Sequence, residues 1–195
     1  MICTKFTFSL NYLTKAKHID NIMLEMEEDM LYPNEYLDSV KDISLDLLKK
    51  NNIKGLILDV DNTLINLDKK MPAGVSDWAK SLKNNGIKIC ILSNSNKIEK
   101  VNSVAKILDV PYIFFGKKPL KSGFLRAKEI LKLDNKNIAV VGDQIFTDII
   151  GANRCNMFSI LVKPIEEKDY LIVKIKRPIE NFIINRYNKN KKIGR

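Results

Sequence analysis

From residue 53 onward the chain alternates short, mainly apolar runs with segments that are apolar on one helical face only, and few folds accommodate that alternation. The runs are IKGLILDV (53–60), IKICIL (87–92), YIFF (112–115), NIAVV (137–141) and FSILV (158–162). Between them Val75, Trp78, Ala79 and Leu82 recur at helical spacing, with Gly86 as a stop. Ile98, Val101, Ala105 and Leu108 form a second such face, and Leu120, Phe124, Ala127 and Leu131 a third. A shorter helix is expected around 145–153. A strand that is apolar at every position is buried on both sides, and a parallel sheet crossed by helices provides that burial. The expected fold class is α/β: a single doubly wound parallel sheet covered on both faces. With 195 residues, 45% of them hydrophobic, the chain suffices for one such domain and is short for two.

Two flanks lie outside the alternation. Residues 30–52 read as one or two helical segments with Tyr36, Val40, Ile43 and Leu47 on one side. At the other end, residues 174–195 hold eight basic residues and one acid, Glu180. Pro178 is placed to open a helix there, with Ile179, Phe182, Ile183 and Tyr187 as its face. Residues 178–195 are therefore expected to be a basic C-terminal helix and tail, following a domain over 30–177.

Several classes of function are excluded or disfavoured at once. No apolar run reaches the roughly 18–20 residues of a membrane-spanning helix. The opening MICTKFTFSLNYLTKAKH is interrupted by Thr, Ser and Asn and makes a poor signal peptide. Cys3, Cys90 and Cys155 lack C-x-x-C spacing, and the lone His18 cannot complete a zinc site with them. Cys90, inside IKICIL, reads as a small buried hydrophobe. Three unpatterned cysteines suit a reducing cytoplasm.

In an open parallel sheet, ligands bind beyond the carboxyl ends of the strands, so the residues that follow each run carry the chemistry. After the first come Asp59-Val60-Asp61-Asn62-Thr63; after the second, Ser93-Asn94-Ser95-Asn96; after the third, Lys117-Lys118-Pro119; after the fourth, Gly142-Asp143, with Asp148 five residues on. Taken singly, Asp-x-Asp is a solvated loop, Ser-Asn a helix cap and Lys-Pro a surface charge. Asn96 is most simply a helix cap and Gln144 a turn residue. Taken together and in order, the carboxylates, a hydroxyl and a lysine converge on one crevice. Like charges packed so closely call for a counter-ion, and a hard divalent cation with oxygen ligands, Mg²⁺ before Ca²⁺, meets that need.

The four segments LILDVDNT, CILSN, KKP and VVGDQIFTD resemble the four motifs of the haloacid dehalogenase superfamily of phosphatases. More narrowly, the chain is similar to the YqeG family of small bacterial phosphatases, from LYPNEYLDSVKDI near residue 31 through GDQIFTDIIGANRCNMFSILVKPI to RPIENFIINR. The resemblance implies phosphate monoester hydrolysis through an aspartyl-phosphate. Asp59 would be the nucleophile, and Asp61 the acid that protonates the leaving oxygen and the base that later activates water. Mg²⁺ would be held by Asp59, the main-chain carbonyl of Asp61, and Asp143, with Asp148 supporting it or orienting Lys118. Ser93 and Lys118 would neutralise the phosphoryl oxygens, with Asn62 and Asn94 completing the phosphate cradle. Met23, Met26 and Met30 are in frame and the resemblance begins at Leu31. Residues 1–29 are thus expected to be an extension, either disordered or an upstream misreading of a chain that starts at Met30.

Members of this superfamily often carry a cap domain. Here the Asn62–Gly74 loop is about a dozen residues, and two residues separate Phe115 from Lys118, too few for a domain. A capless, open site suits a large substrate. The first 29 residues are net −2 and the remainder +12, within a total of +10. Because 28 of the 33 basic residues are Lys, part of that charge is attributable to compositional drift. The basic tail reads either as a membrane-surface element or as ordinary packing with a solvated lysine face. The YqeG family in turn resembles the mitochondrial phosphatases that act on phosphatidylglycerophosphate, which implies an anionic phospholipid as substrate and a protein that is cytoplasmic or peripheral to the inner face of the membrane. The alternatives are a soluble phosphometabolite, a nucleic-acid phosphate end, a non-catalytic phosphoacceptor and a scaffold. Five Arg and no aromatic-rich basic motif argue against nucleic acid, and no sequence feature sets an oligomeric state.

Overall fold

All five apolar runs contain strands, and every strand pairing is parallel. The computed structural model describes residues 28–166 and 171–192, so the expectation for residues 1–27 lies outside the described residues. The strands are β1 (Glu35–Leu37), β2 (Gly55–Leu58), β3 (Lys88–Leu92), β4 (Tyr112–Ile113), β5 (Ile138–Gly142) and β6 (Phe158–Val162), in the sheet order β1-β6-β5-β2-β3-β4. From β2 the chain steps outward through β3 to β4, then returns to the opposite side of β2 to lay down β5 and β6. The direction of winding therefore reverses between β2 and β5, and a crevice opens beyond their carboxyl ends.

The runs look uniformly apolar because each strand feeds two cores at the two-residue period of a pleated chain. Leu56 and Leu58 of β2, Ile89 and Ile91 of β3, and Ala139 and Val141 of β5 face one layer. That layer is α3 (Val75–Asn84) and α4 (Ile98–Leu108). The intervening residues Ile57, Cys90, Leu92, Ile138 and Val140 face the other, formed by α5 (Lys121–Leu131) and α6 (Ile150–Arg154). Phe124 of α5 is fully buried there, packed so closely that a Cβ added to Gly151 of α6 would lie 2.3 Å from its ring. Burial pushes the Cys90 thiol up to about 12, in keeping with an inert core residue.

Four details differ from the sequence reading. Residues 30–52 were expected to be helical, but Glu35–Leu37 add an edge strand between the short α1 (Glu28–Leu31) and α2 (Leu45–Lys50). What aligns β1 is a side chain: Asn34 Oδ1 accepts from the Ser159 amide at 2.7 Å and from its hydroxyl at 3.0 Å. The YIFF run pairs only at Tyr112 and Ile113, leaving Phe114 and Phe115 exposed. Ile98 at the start of α4 is likewise exposed. The C-terminal helix α7 spans Leu171–Lys192, so it begins seven residues before Pro178. Its buried stripe contains Glu180 and Ile183, with Phe182 turned outward. Ile183 joins Leu31, Ile145, Ile149, Ile150 and Leu161 in a third apolar cluster. Among the described residues no helix is long and apolar enough to cross a membrane.

Phe124→Ala removes the largest fully buried side chain between the sheet and α5 and is expected to lower stability by about 3–5 kcal/mol. Urea unfolding checks it; a loss within experimental error would show that this layer repacks around the gap.

Candidate active site

The carboxyl ends of β2, β3 and β5 lie side by side, because Leu58 sits opposite Ile91 on one flank and Val141 on the other. The chain holds this register one residue past β2, where the Asp59 amide still donates to the Val141 carbonyl at 2.9 Å. It then turns sharply. The Val60 carbonyl accepts from Leu64 at 3.0 Å and from Ile65 at 3.1 Å, and Asn62 adopts a φ of 62°. That turn keeps Asp59 at the floor of the crevice, with 7% of its surface exposed, and sets Asp61 at the mouth, where its side chain is 46% exposed.

Lys118 joins the floor together. Its Nζ lies 2.5 Å from Asp59 Oδ1 and 2.6 Å from Asp148 Oδ1, and all three side chains are buried. Asp148 Oδ2 in turn accepts from the Gln144 amide at 3.2 Å and the Thr147 hydroxyl at 3.3 Å. Both oxygens of Asp148 are thereby engaged, one of them by the Lys118 ammonium. The main chain of Lys118 is clamped by Asn94, whose Oδ1 accepts its amide at 2.7 Å and whose Nδ2 donates to its carbonyl at 3.0 Å. Ser93 is fully buried at the end of β3, and its hydroxyl accepts from the Ser95 amide at 3.1 Å.

Electrostatics follow from this burial. Loss of water pushes the Asp59 carboxyl up to about 6; Lys118 partly offsets that rise and Asp148 adds to it. For Lys118, burial alone would lower the affinity for its proton, but Asp148 and Asp59 outweigh it and hold the ammonium above its ordinary range. The lysine is a fixed cation. One carboxylate oxygen from each of Asp59, Asp143 and Asp148 lies within 4.8 Å of the others. Three buried carboxylates are thus gathered about one lysine, and every donor in the set is a hard oxygen. This set fits a divalent cation of the Mg²⁺ or Ca²⁺ type.

The structure thus brings together Asp59, Asp143, Asp148 and Lys118, with Ser93 on the adjacent strand end and Asp61 at the rim. Asn62 was expected to help bind phosphate, but its groups are engaged elsewhere. Its side chain bonds both main-chain groups of Glu166 at 3.0 and 3.2 Å, and its amide donates to Ile65 at 2.8 Å. It fastens the segment after β6 across the loop after β2, aided by Asn66 Nδ2, which donates to Glu166 Oε1 at 2.9 Å. Asn96 does not cap α4, whose N-cap is Lys97 with no side-chain capping bond; the Ser95 hydroxyl accepts the Lys97 amide at 3.2 Å.

Three residues take supporting roles that the sequence does not assign them. Lys100 bonds both oxygens of Asp61. Glu180 of α7 accepts the Ile145 amide at 3.0 Å, tying the C-terminal helix to the segment that carries Asp148. Gly142 ends β5 where an added Cβ would lie 2.3 Å from the Asp148 carboxyl. Only the glycine had a visible signal, its place between a strand and an acid.

Residues 68–156 match a family model described as haloacid dehalogenase-like hydrolase. The "Probable phosphatase YqeG" of Bacillus subtilis is 33% identical over 161 residues, which span 82% of this chain and 93% of that protein. Similar solved structures include an uncharacterized protein from Corynebacterium glutamicum, at 20% identity and a TM-score of 0.49 over 66% of this chain and 96% of that one. Another is 3-deoxy-D-manno-octulosonate 8-phosphate phosphatase from Yersinia pestis, at 14% identity and a TM-score of 0.46 over 75% and 89%.

Gly142→Ala is expected to push Asp148 off Lys118, lowering stability by about 1–3 kcal/mol and activity by more than that loss accounts for; urea unfolding beside phosphate release checks it. A proton and a cation compete for Asp59, so affinity for a divalent cation is expected to fall as the pH drops through about 6. Calorimetric titration on either side of that pH measures the change, and an affinity that did not move would remove Asp59 from the ligand set.

Proposed function

Because the chain belongs to the haloacid dehalogenase superfamily, in its YqeG family of phosphatases, we propose that it hydrolyses phosphate monoesters with Mg²⁺ through an aspartyl-phosphate on Asp59. The observation that carries this reading is the buried Lys118 bonded at once to Asp59 and Asp148, a fixed cation beside the first acid after β2. A phosphoryl group approaching Asp59 would meet that ammonium as its charge redistributes.

In the first step an Asp59 oxygen attacks phosphorus in line, the ester P–O bond breaks, and Asp61 gives its proton to the leaving oxygen. In the second, Asp61 takes a proton from water, whose oxygen attacks the same phosphorus. Inorganic phosphate departs and the Asp59 carboxylate is restored. Ser93, Lys118 and the main chain about Asn94 hold the phosphoryl oxygens, and Asp148 keeps Lys118 aimed. Asp59, Asp143 and the Asp61 main-chain carbonyl would hold Mg²⁺, which when bound would supply further positive charge to those oxygens.

For the substrate, the reading is phosphatidylglycerophosphate presented at the inner face of a membrane. Support comes from the mouth of the site. No helix or strand covers it among the described residues between β2 and α3 or between β4 and α5. The large exposed apolar side chains Ile98, Phe114, Phe115 and Leu120 lie in loops or first turns at that end of the sheet, with Lys117 Nζ 5.4 Å from the Phe115 ring centroid. Such a basic and apolar rim suits an amphiphilic anion.

Asp59→Asn is expected to abolish phosphate release, and Asp61→Asn to slow it by about 10²–10⁴-fold, both read with Mg²⁺ present. Undiminished turnover in the first variant would overturn the nucleophile. Release from phosphatidylglycerophosphate in mixed micelles tests the substrate; a protein that hydrolysed soluble phosphates and left this lipid intact would refute the lipid assignment alone.

A further inference from the structure

Lys100 lies in the first turn of α4, a position from which lysine side chains ordinarily extend into water. Here its side chain is only 15% exposed and turns back toward the mouth of the crevice, where Nζ lies 2.6 Å from Asp61 Oδ1 and 2.6 Å from Oδ2. The main chain of Asp61 is already fixed by its bridge to Ile65. What remains is the rotation of a side chain that is nearly half exposed, and a donor bonded to both oxygens settles it. The acids on the floor are oriented by other groups: Lys118 holds Asp59, and Lys118, Gln144 and Thr147 hold Asp148.

From this division of labour we infer that Lys100 is a positioning residue, which aims the Asp61 carboxyl at the point where the leaving oxygen of the ester emerges. The inference rests on the reading of Asp61 as the acid–base group. Two oxygens allow two tasks: one keeps the ammonium as its donor while the other faces the ester and passes the proton. Aim of this kind matters because proton transfer needs hydrogen-bond distance at the moment of bond cleavage, and an unanchored carboxyl spends much of its time elsewhere. Lys100 touches neither substrate nor nucleophile in this account. It acts only through Asp61, and its loss should therefore be felt in proportion to how much the leaving group needs a proton.

That proportion is measurable with substituted phenyl phosphates, from p-nitrophenyl phosphate, whose leaving group departs readily unprotonated, to phenyl phosphate, whose leaving group does not. Lys100→Met is expected to steepen the dependence of kcat/KM on leaving-group acidity, costing phenyl phosphate at least about tenfold more than p-nitrophenyl phosphate. Lys100→Arg should restore the wild-type slope, and Lys100→Met should add little to Asp61→Asn in a double variant. An equal loss on every ester, no loss on any, or full additivity with Asp61→Asn would overturn the inference; should Lys100→Met fail to fold, the slope of Lys100→Gln decides it in the same way. The Asp61→Asn variant alone separates the two claims. If it steepens the slope and the Lys100 variants do not, the positioning role falls and the acid stands; if it leaves the slope unchanged, the acid assignment falls and takes Lys100 with it.

Discussion

A lysine ammonium held between two buried carboxylates is the interaction on which the rest of this molecule depends. Taking Lys118, Asp59 and Asp148 out of water is costly, and the cost is offset only while the three stay in contact and their remaining atoms find donors. Much of the surrounding structure supplies that condition. Asn94 grips the Lys118 main chain, Gln144 and Thr147 satisfy the far oxygen of Asp148, and Gly142 leaves room for its carboxyl. With Asp143 these carboxylates form a set of hard oxygens that suits a divalent cation.

The sheet makes this arrangement possible by bringing distant segments to one edge. Asp59 and Asp148 are 89 positions apart in sequence, yet β2 and β5 are hydrogen-bonded neighbours, and the reversal of winding between them opens a crevice at their carboxyl ends. Support reaches the site from outside the sheet as well. Glu180 of α7 holds the start of the Asp148 segment, and the chain after β6 is fastened to the loop beyond Asp61 through Asn62 and Asn66. The basic C-terminal helix is thus packed against the third apolar cluster through Ile183, and its lysines do not prevent it from being part of the fold.

The legible part of this molecule was legible for a physical reason. Strands buried on both faces leave continuous apolar runs, and the residues that follow them must lie at the ligand-binding edge, so the sequence alone puts Asp59, Ser93, Lys118 and Asp143 there. What escaped notice is polar and tertiary. The β1 strand is positioned by Asn34 and Ser159, which no apolar period records. In the sequence Glu180 is the one acid of a basic tail, and in the fold it is buried and meets an amide 35 residues away. Lys100 is one of 28 lysines, and nothing in its neighbourhood of sequence distinguishes it from the solvated ones. Its partner is 39 residues away, and only the folded chain shows it.

The central claim is that phosphate passes through Asp59. Acid-quenching the Asp61→Asn variant during turnover, then mapping phosphorylated peptides by mass spectrometry, tests it most directly. Slowing the second step should leave one phosphoryl group on the protein, carried by Asp59 and labile to hydroxylamine. Continued phosphate release with no phosphorylated peptide, or with the phosphoryl group on another residue, would contradict the account.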